Sequence, residues 1–154
     1  YNQYITEEVV PFMRAKTSLE TPIITTGASL GALHCANTFF RRPDLFDGTI
    51  AMSGSYDIKS YSGGYYDDNC YFNSPVDYLP NLYDEHLLGL LRAKQHIYIL
   101  SGQGNYEAPE RSLQLGHILE AKGIPHVVDL WGHDVSHDWP TWRKMLPHVL
   151  GTRF

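Results

Sequence analysis

Apolar residues along the chain follow two alternating patterns, short β-branched runs and longer stretches with helical spacing. The short runs predict strands, and they lie at residues 23–26, 48–52, 95–100 and 126–130. The longer stretches predict helices, which lie at residues 5–13, 30–40 and 109–121, with Thr6 as the N-cap of the first. Strands that alternate with such helices pair in parallel through βαβ crossovers. The pattern therefore predicts an α/β fold, a mostly parallel sheet flanked by helices on both faces.

Residues 56–83 depart from this alternation, because they are rich in Tyr, Asp, Asn, Gly and Pro. We expect them to form a loop-rich excursion above the sheet, where binding loops commonly lie. Its tyrosines could line an acyl or aromatic pocket, or they could cover the core, and the sequence leaves both alternatives open. The tyrosines concerned are Tyr56, Tyr61, Tyr65, Tyr66, Tyr71, Tyr78 and Tyr83.

Composition narrows the class of partner. The 154 residues are 43% hydrophobic and 19% charged, which is typical of one globular domain. The formal net charge is −5 and the only cluster of basic residues is Arg41-Arg42, so we expect no nucleic acid and no membrane as partner. No Cys/His spacing suggests zinc and no glycine-rich phosphate loop follows a strand, so no metal or cofactor is expected.

The cysteines and the N-terminus bear on the compartment. We interpret Cys35 and Cys70 as free thiols, since nothing in the sequence places them within disulfide range. The chain starts at Tyr1 without an initiator Met or a signal-peptide pattern. These features favour a cytoplasmic protein and a chain cut from something longer.

The pentapeptide Gly27-Ala28-Ser29-Leu30-Gly31 matches the G-x-S-x-G pattern and lies between a predicted strand and a predicted helix. A serine in such a sharp turn adopts a strained backbone that projects its hydroxyl, and flanking glycines remove Cβ atoms that would clash. Ser29 is the candidate nucleophile, and the N–H of Leu30 is the expected oxyanion donor. The alternative is that Ser29 is only a helix N-cap.

A serine hydroxyl needs a histidine base, and in hydrolases whose G-x-S-x-G serine lies on such a strand-to-helix turn the base follows the nucleophile and the acid along the chain. Of eight histidines, only His133 and His137 fall in the loop that leaves the last predicted strand. We prefer His137, because Asp138-Trp139-Pro140 open the last helix and make a rigid junction. His133 is then a loop residue that braces its neighbour through a hydrogen bond.

These motifs resemble the C-terminal part of the Putative esterase family, which includes esterase D-like and enterochelin-esterase-like enzymes, over nearly the whole chain. The segments that carry the resemblance are residues 26–32, Asn73-Ser74-Pro75, residues 104–107, and His137-Asp138-Trp139 followed by Trp142. The resemblance implies a partial α/β-hydrolase fold and cleavage of small-molecule carboxylic esters through an acyl-enzyme. It also places the triad acid after the strand that precedes the penultimate helix. Glu107 is our choice there, because a carboxylate can offset the imidazolium charge, and Asp134 is the next candidate.

The resemblance also implies further strands before the one that leads into the Ser29 turn, with a loop among them that donates a second oxyanion N–H, and residues 1–154 contain neither. We therefore expect a single, N-terminally truncated domain with an open sheet edge, covered by a second copy of the chain or by a partner segment. Loss of one oxyanion donor costs about a hundredfold or more in rate, so a weak catalyst is expected. Three functions stay open: a carboxylic-ester hydrolase, which is favoured, an acyltransferase with the same acyl-enzyme, and a binding module without activity.

Overall fold

The computed structural model describes all residues from Tyr1 to Phe154 and contains one four-stranded parallel sheet in the order β1-β2-β3-β4. The strands are β1 (Ile24–Ala28), β2 (Gly48–Met52), β3 (His96–Ser101) and β4 (Val127–Leu130). In register, Ala28 lies opposite Met52, Met52 opposite Leu100, and Ser101 opposite Leu130. The predicted α/β class and the parallel pairing are confirmed.

Helices follow each strand. The long helices are α3 (Leu30–Arg41), α7 (Glu85–Arg92), α8 (Pro109–Ala121) and α9 (Trp139–Arg153). The N-terminal helix consists of α1 (Asn2–Tyr4), a π-helical segment (Ile5–Val9) and α2 (Val10–Lys16). Between β2 and α7 lie α4 (Lys59–Ser62), α5 (Asp68–Phe72), α6 (Pro75–Tyr78) and a 3₁₀ turn (Leu79–Asn81).

Alternate residues of the central strands enter two separate cores, because successive side chains of a strand point to opposite faces. Ile97 and Ile99 pack with α3 and α8 on one face. Tyr98 and Leu100 pack with α9 on the other. Helices therefore cover both faces of the sheet, as an all-parallel sheet requires.

The N-terminal helix starts earlier than predicted. Thr6 is not its N-cap: the helix begins at Asn2, and the Thr6 hydroxyl donates to the Asn2 carbonyl at 3.0 Å. Side-chain bonding of Thr to the carbonyl four residues back is a feature of helix interiors. Sequence reasoning mistook an interior threonine for a cap because the preceding Asn-Gln-Tyr carries no strong helical pattern.

Both cysteines are free, as predicted. Cys35 lies buried in α3 against β2, and burial raises the pKa of its thiol to about 12. Cys70 lies half-buried in α5. None of the helices is long and apolar enough to cross a membrane.

Candidate functional site

Ser29 occupies the turn between β1 and α3 in a backbone conformation that non-glycine residues rarely adopt, with φ 56° and ψ −121°. The turn is held by a hydrogen bond from the Ser29 N–H to the Met52 carbonyl at 2.9 Å and by one from the Ala32 N–H to the Ser29 carbonyl at 3.0 Å. Strain of this kind persists only where the surrounding structure fixes it, and it clusters at functional sites.

The two glycines of the motif have different roles. A Cβ on Gly27 would lie 2.1 Å from the Gly31 carbonyl oxygen, so β1 and α3 can approach only because residue 27 has no side chain. A Cβ on Gly31 would meet nothing within 4 Å. The expectation that both glycines prevent a clash is therefore wrong for Gly31. Its backbone is what a Cβ on Gly27 would strike, whereas a Cβ on Gly31 itself would be tolerated.

His137 lies beside Ser29, with 2.9 Å between its Nε2 and the Ser29 Oγ. Its backbone N–H donates to the Asn105 carbonyl at 3.0 Å, and Asp138, the next residue, caps α9 by accepting from the Trp139 N–H. The loop after β4 is thus tied to the loop after β3 and to the start of α9. This fixes the position of the imidazole.

Glu107 lies on the far side of that imidazole, with 3.4 Å between its Oε2 and His137 Nδ1. Its side chain is only 1% exposed. Hydroxyl groups supply its other contacts: Ser53 Oγ donates to Oε1 at 2.7 Å, and Ser101 Oγ lies 3.2 Å from Oε2. Glu107 precedes α8 and its cap Ala108, so it is not a first-turn helix residue.

The loop from Gly102 to Glu107 is shaped by its contacts with the loop after β4. Cβ atoms on Gly102 and Gly104 would lie 2.2 Å and 2.8 Å from the Val135 carbonyl oxygen, to which the Gly104 N–H donates. Tyr106 has φ 63° and is 92% exposed. The turn at Tyr106 therefore brings Glu107 back to Ser53 and Ser101 at the carboxyl ends of β2 and β3.

The other two candidates lie apart. His133 is exposed, and its ring makes no hydrogen bond to His137, so the predicted bracing role is wrong. Asp134 is also exposed and lines a separate cleft with Trp131 and Lys144. Between residues 133 and 136 the loop packs its backbone against Gly102 and Gly104. The side chains of His133 and Asp134 therefore do not take part in this contact.

The N–H of Leu30 is the first of α3, so it has no hydrogen-bond partner within that helix. It follows Ser29 directly at the helix N-terminus, where unpaired N–H groups and the helix dipole favour negative charge. A cleft of about 720 Å³ opens beside Ser29 along the free edge of β1 and is lined on its far side by Trp139, Trp142 and Leu146 of α9.

None of the seven tyrosines of residues 56–83 lines this cleft. Tyr56 is buried in the core, and Tyr78 packs against the same core with its hydroxyl donating to Asn37 Oδ1 at 3.0 Å. These two rings cover the core, which is one of the two alternatives that the sequence left open. No group of three or more His, Cys, Asp or Glu side chains could hold a metal ion.

Sequence reasoning missed Ser53 and Ser101 as neighbours of the acid. Each lies at the carboxyl end of its strand, Ser53 just after β2 and Ser101 as the last residue of β3. The carboxyl edge of a parallel sheet is where binding residues gather, so their position could have marked both serines as candidates for the site, though not as partners of Glu107.

Comparisons with known proteins agree with this architecture. The model of the Putative esterase family matches residues 1–152. A ferulic acid esterase has a similar structure, with a TM-score of 0.74 and 22% identity over 97% of this chain and 58% of its own. The substrate-bound fluorophosphonate-binding serine hydrolase F of Staphylococcus aureus has a TM-score of 0.66 and 17% identity, over 98% of this chain and 62% of its own. An S-formylglutathione hydrolase from Agrobacterium tumefaciens has a TM-score of 0.61 and 14% identity, over 97% of this chain and 55% of its own.

The chain thus spans little more than half the length of these three structures. No curated protein matches it. At such identities the structural likeness speaks for the fold, which is that of α/β-hydrolase-like esterases. Because the family model covers nearly every residue, this chain belongs to the Putative esterase family.

Proposed function

We propose that the chain carries the active site of a serine hydrolase that cleaves small-molecule carboxylic esters through an acyl-enzyme. The observation that carries this proposal is the line of three groups in which His137 has Ser29 Oγ 2.9 Å from one ring nitrogen and the buried Glu107 carboxylate 3.4 Å from the other. Nucleophile, base and orienting acid stand in this arrangement in serine hydrolases on unrelated folds.

In the proposed mechanism, His137 Nε2 takes the proton of Ser29 as Oγ attacks the ester carbonyl carbon. The oxyanion that forms accepts a hydrogen bond from the Leu30 N–H at the start of α3. The tetrahedral intermediate then collapses, and the alcohol leaves with the proton from His137. Water, deprotonated by His137, releases the acid in the second half, while Glu107 keeps the ring proton on Nδ1 and stabilises the imidazolium.

The active site is testable by covalent labelling. A fluorophosphonate should add one phosphonyl group per chain with loss of fluoride, and peptide mass spectrometry should locate it on Ser29. The Ser29→Ala variant should take up none, whereas Ser136→Ala, a serine next to His137 in sequence, should label as the unmodified chain does. Equal behaviour of the native chain and Ser29→Ala, with no label on Ser29, would contradict the proposal, and a complete absence of label would favour a binding module.

Hydrolysis and acyl transfer are separated by the acceptor. With p-nitrophenyl acetate, a burst of p-nitrophenolate reports acylation of Ser29. Turnover after the burst should continue at the same rate when alcohols or sugars are added. A steep rise of the turnover rate with one acceptor, with the acetyl group recovered on that acceptor, would show that the chain is an acyltransferase and not a hydrolase.

We further propose that the free edge of β1 is covered by other polypeptide. This is either a second copy of residues 1–154 or a partner segment. β1 has no strand on its outer side, all its residues retain some exposure, and Leu30 beside it is 43% exposed. An open apolar strand edge favours pairing with another chain. The covering segment would also border the cleft at Ser29 and could supply the second oxyanion donor.

Light scattering after size-exclusion chromatography tests this edge. The purified chain should have a mass above 17.5 kDa at low micromolar concentration. A mass of two copies supports self-association, and progressive aggregation supports a missing partner segment. A folded, stable monomer of 17.5 kDa would contradict the proposal, because the bare edge would then be tolerated.

A cytoplasmic location is the last part of the proposal, and the two free thiols support it. Reducing compartments keep thiols unpaired. Fractionation of cells that express the chain at its native level would test the location.

A further inference from the structure

We propose that Ser53 and Trp142 are positioning residues for Glu107, and that they set the direction of a hydrogen-bond chain that ends on the Ser29–His137 pair. The inference rests on the proposed function, since it assigns the groups that hold the triad acid in place. Neither residue makes a hydrogen bond to Ser29, and each acts on the acid through another group or on the acid itself.

Ser53 is held in a conformation that its own side chain does not favour. Its φ is 53°, it is 6% exposed, and its N–H donates to the Leu100 carbonyl at 2.7 Å. Glycine is the residue that adopts positive φ without cost. The cost of a serine at this position must therefore be offset by an interaction of its hydroxyl. That hydroxyl lies 2.7 Å from Glu107 Oε1.

Trp142 determines which way the Ser53 hydroxyl points. Its indole Nε1 lies 3.0 Å from Ser53 Oγ, and an indole nitrogen can only donate. Ser53 Oγ accepts that hydrogen bond, so its single proton is directed to Glu107. The Trp142 ring also meets the His137 ring edge to face, with 5.1 Å between ring centroids and 88° between planes.

The two oxygens of Glu107 are thereby kept distinct. Ser53 engages Oε1, which leaves Oε2 for His137 Nδ1. Ser101 cannot replace Ser53, because its one proton is shared between the Gly102 carbonyl at 2.9 Å and Oε2 at 3.2 Å. Without Ser53 the carboxylate is free to turn about its last bond, and its alignment with the imidazole is lost.

Two replacements of Ser53 separate a positioning role from a structural one. Ser53→Ala and Ser53→Gly both remove Oγ, but only glycine relieves the positive φ. Loss of a hydrogen bond to a charged group predicts a fall in kcat of about 10- to 100-fold in both variants, with KM within about twofold. Ser53→Gly should nevertheless unfold at higher denaturant concentration than Ser53→Ala. An activity that follows stability, with Ser53→Gly near the unmodified chain, would overturn the role of Ser53.

Trp142→Phe tests the second step, because it keeps an aromatic ring against His137 and removes the N–H. We expect kcat to fall about threefold to tenfold at unchanged KM. Trp131→Phe is the matched control, since it removes an indole N–H that donates to the Asp129 carboxylate at 3.2 Å, away from the site. Equal effects of the two replacements would overturn the role of Trp142.

A readout that does not need turnover distinguishes failure of this inference from failure of the proposed function. The ¹⁵N chemical shifts of the neutral His137 ring report which nitrogen carries the proton. The unmodified chain should hold it on Nδ1, facing Glu107, and the Ser53 variants should shift the population toward the Nε2–H form. Unchanged shifts in both Ser53 variants would overturn the inference even if Ser29 is catalytic. A shift of the population in a chain that fails to label at Ser29 would support the positioning role and reject the hydrolase.

Discussion

Replacing Ser29 by Ala should lower kcat/KM for an activated ester by about 10⁴- to 10⁶-fold, and the double variant Ser29→Ala, His137→Ala should lose no more than either single variant. Ser29 and His137 share one proton across 2.9 Å, so removing either group removes the same step. What survives is catalysis by the Leu30 N–H and by binding alone. Steady-state hydrolysis of p-nitrophenyl acetate by the three variants measures the loss.

The matched control is His133→Ala, which removes an exposed histidine from the same loop. Its kcat/KM should stay within about twofold, as is usual for a surface change away from a site. Additive losses in the double variant would show that the two residues act independently, which the proposed mechanism does not allow. A loss at His133 as large as that at His137 would also contradict it.

Much of the fold was predictable from periodicity. β2 and α8 fall on the predicted boundaries, and β1, β3 and β4 differ from them by one or two residues. These segments are strongly patterned because they are central to the cores. For α7, the sequence predicted only that His86 lies in a helix and not the bounds of that helix, since its short apolar run can be assigned to helix or strand with equal ease.

Ser29, His137 and Glu107, the three residues chosen from the sequence, are the ones that the fold brings together. Ser29 and His137 could be chosen because each lies at a junction that the sequence marks clearly. Ser29 lies at a strand-to-helix turn, and His137 lies directly before a helix start. Glu107 could be preferred over Asp134 only by resemblance, because both acids follow strands. The distinction depends on the turn at Tyr106 and on Gly102 and Gly104, whose effect is tertiary.

The hydrogen bond of Ser53 to Glu107 and the distinct roles of Gly27 and Gly31 could not be predicted from the sequence alone. A serine with positive φ leaves no sequence signal, and nothing local tells that Ser53 Oγ lies 2.7 Å from Glu107. The motif treats its two glycines alike, whereas only Gly27 lies where a Cβ would strike backbone. Such features arise from contacts between segments far apart in sequence.

Replacing Glu107 by Gln should lower kcat by about 10³- to 10⁴-fold while the protein still folds. Glutamine has nearly the shape of glutamate, but its amide can present an N–H to His137 Nδ1, which favours the tautomer with the proton on Nε2. That tautomer cannot accept the Ser29 proton. The buried position makes the effect strong, because little water reaches a side chain that is 1% exposed.

Asp134→Asn is the matched control, the same change of acid to amide in the loop that carries His137. Asp134 is exposed and makes no hydrogen bond to the imidazole, so kcat should stay within about twofold. Single-turnover acylation with p-nitrophenyl acetate measures both variants, and circular dichroism checks that each is folded. If Asp134→Asn lost more activity than Glu107→Gln, the acid would have to come from the loop after β4. The short contact of Glu107 with Ser53 would then serve only to tie the ends of β2 and β3 together.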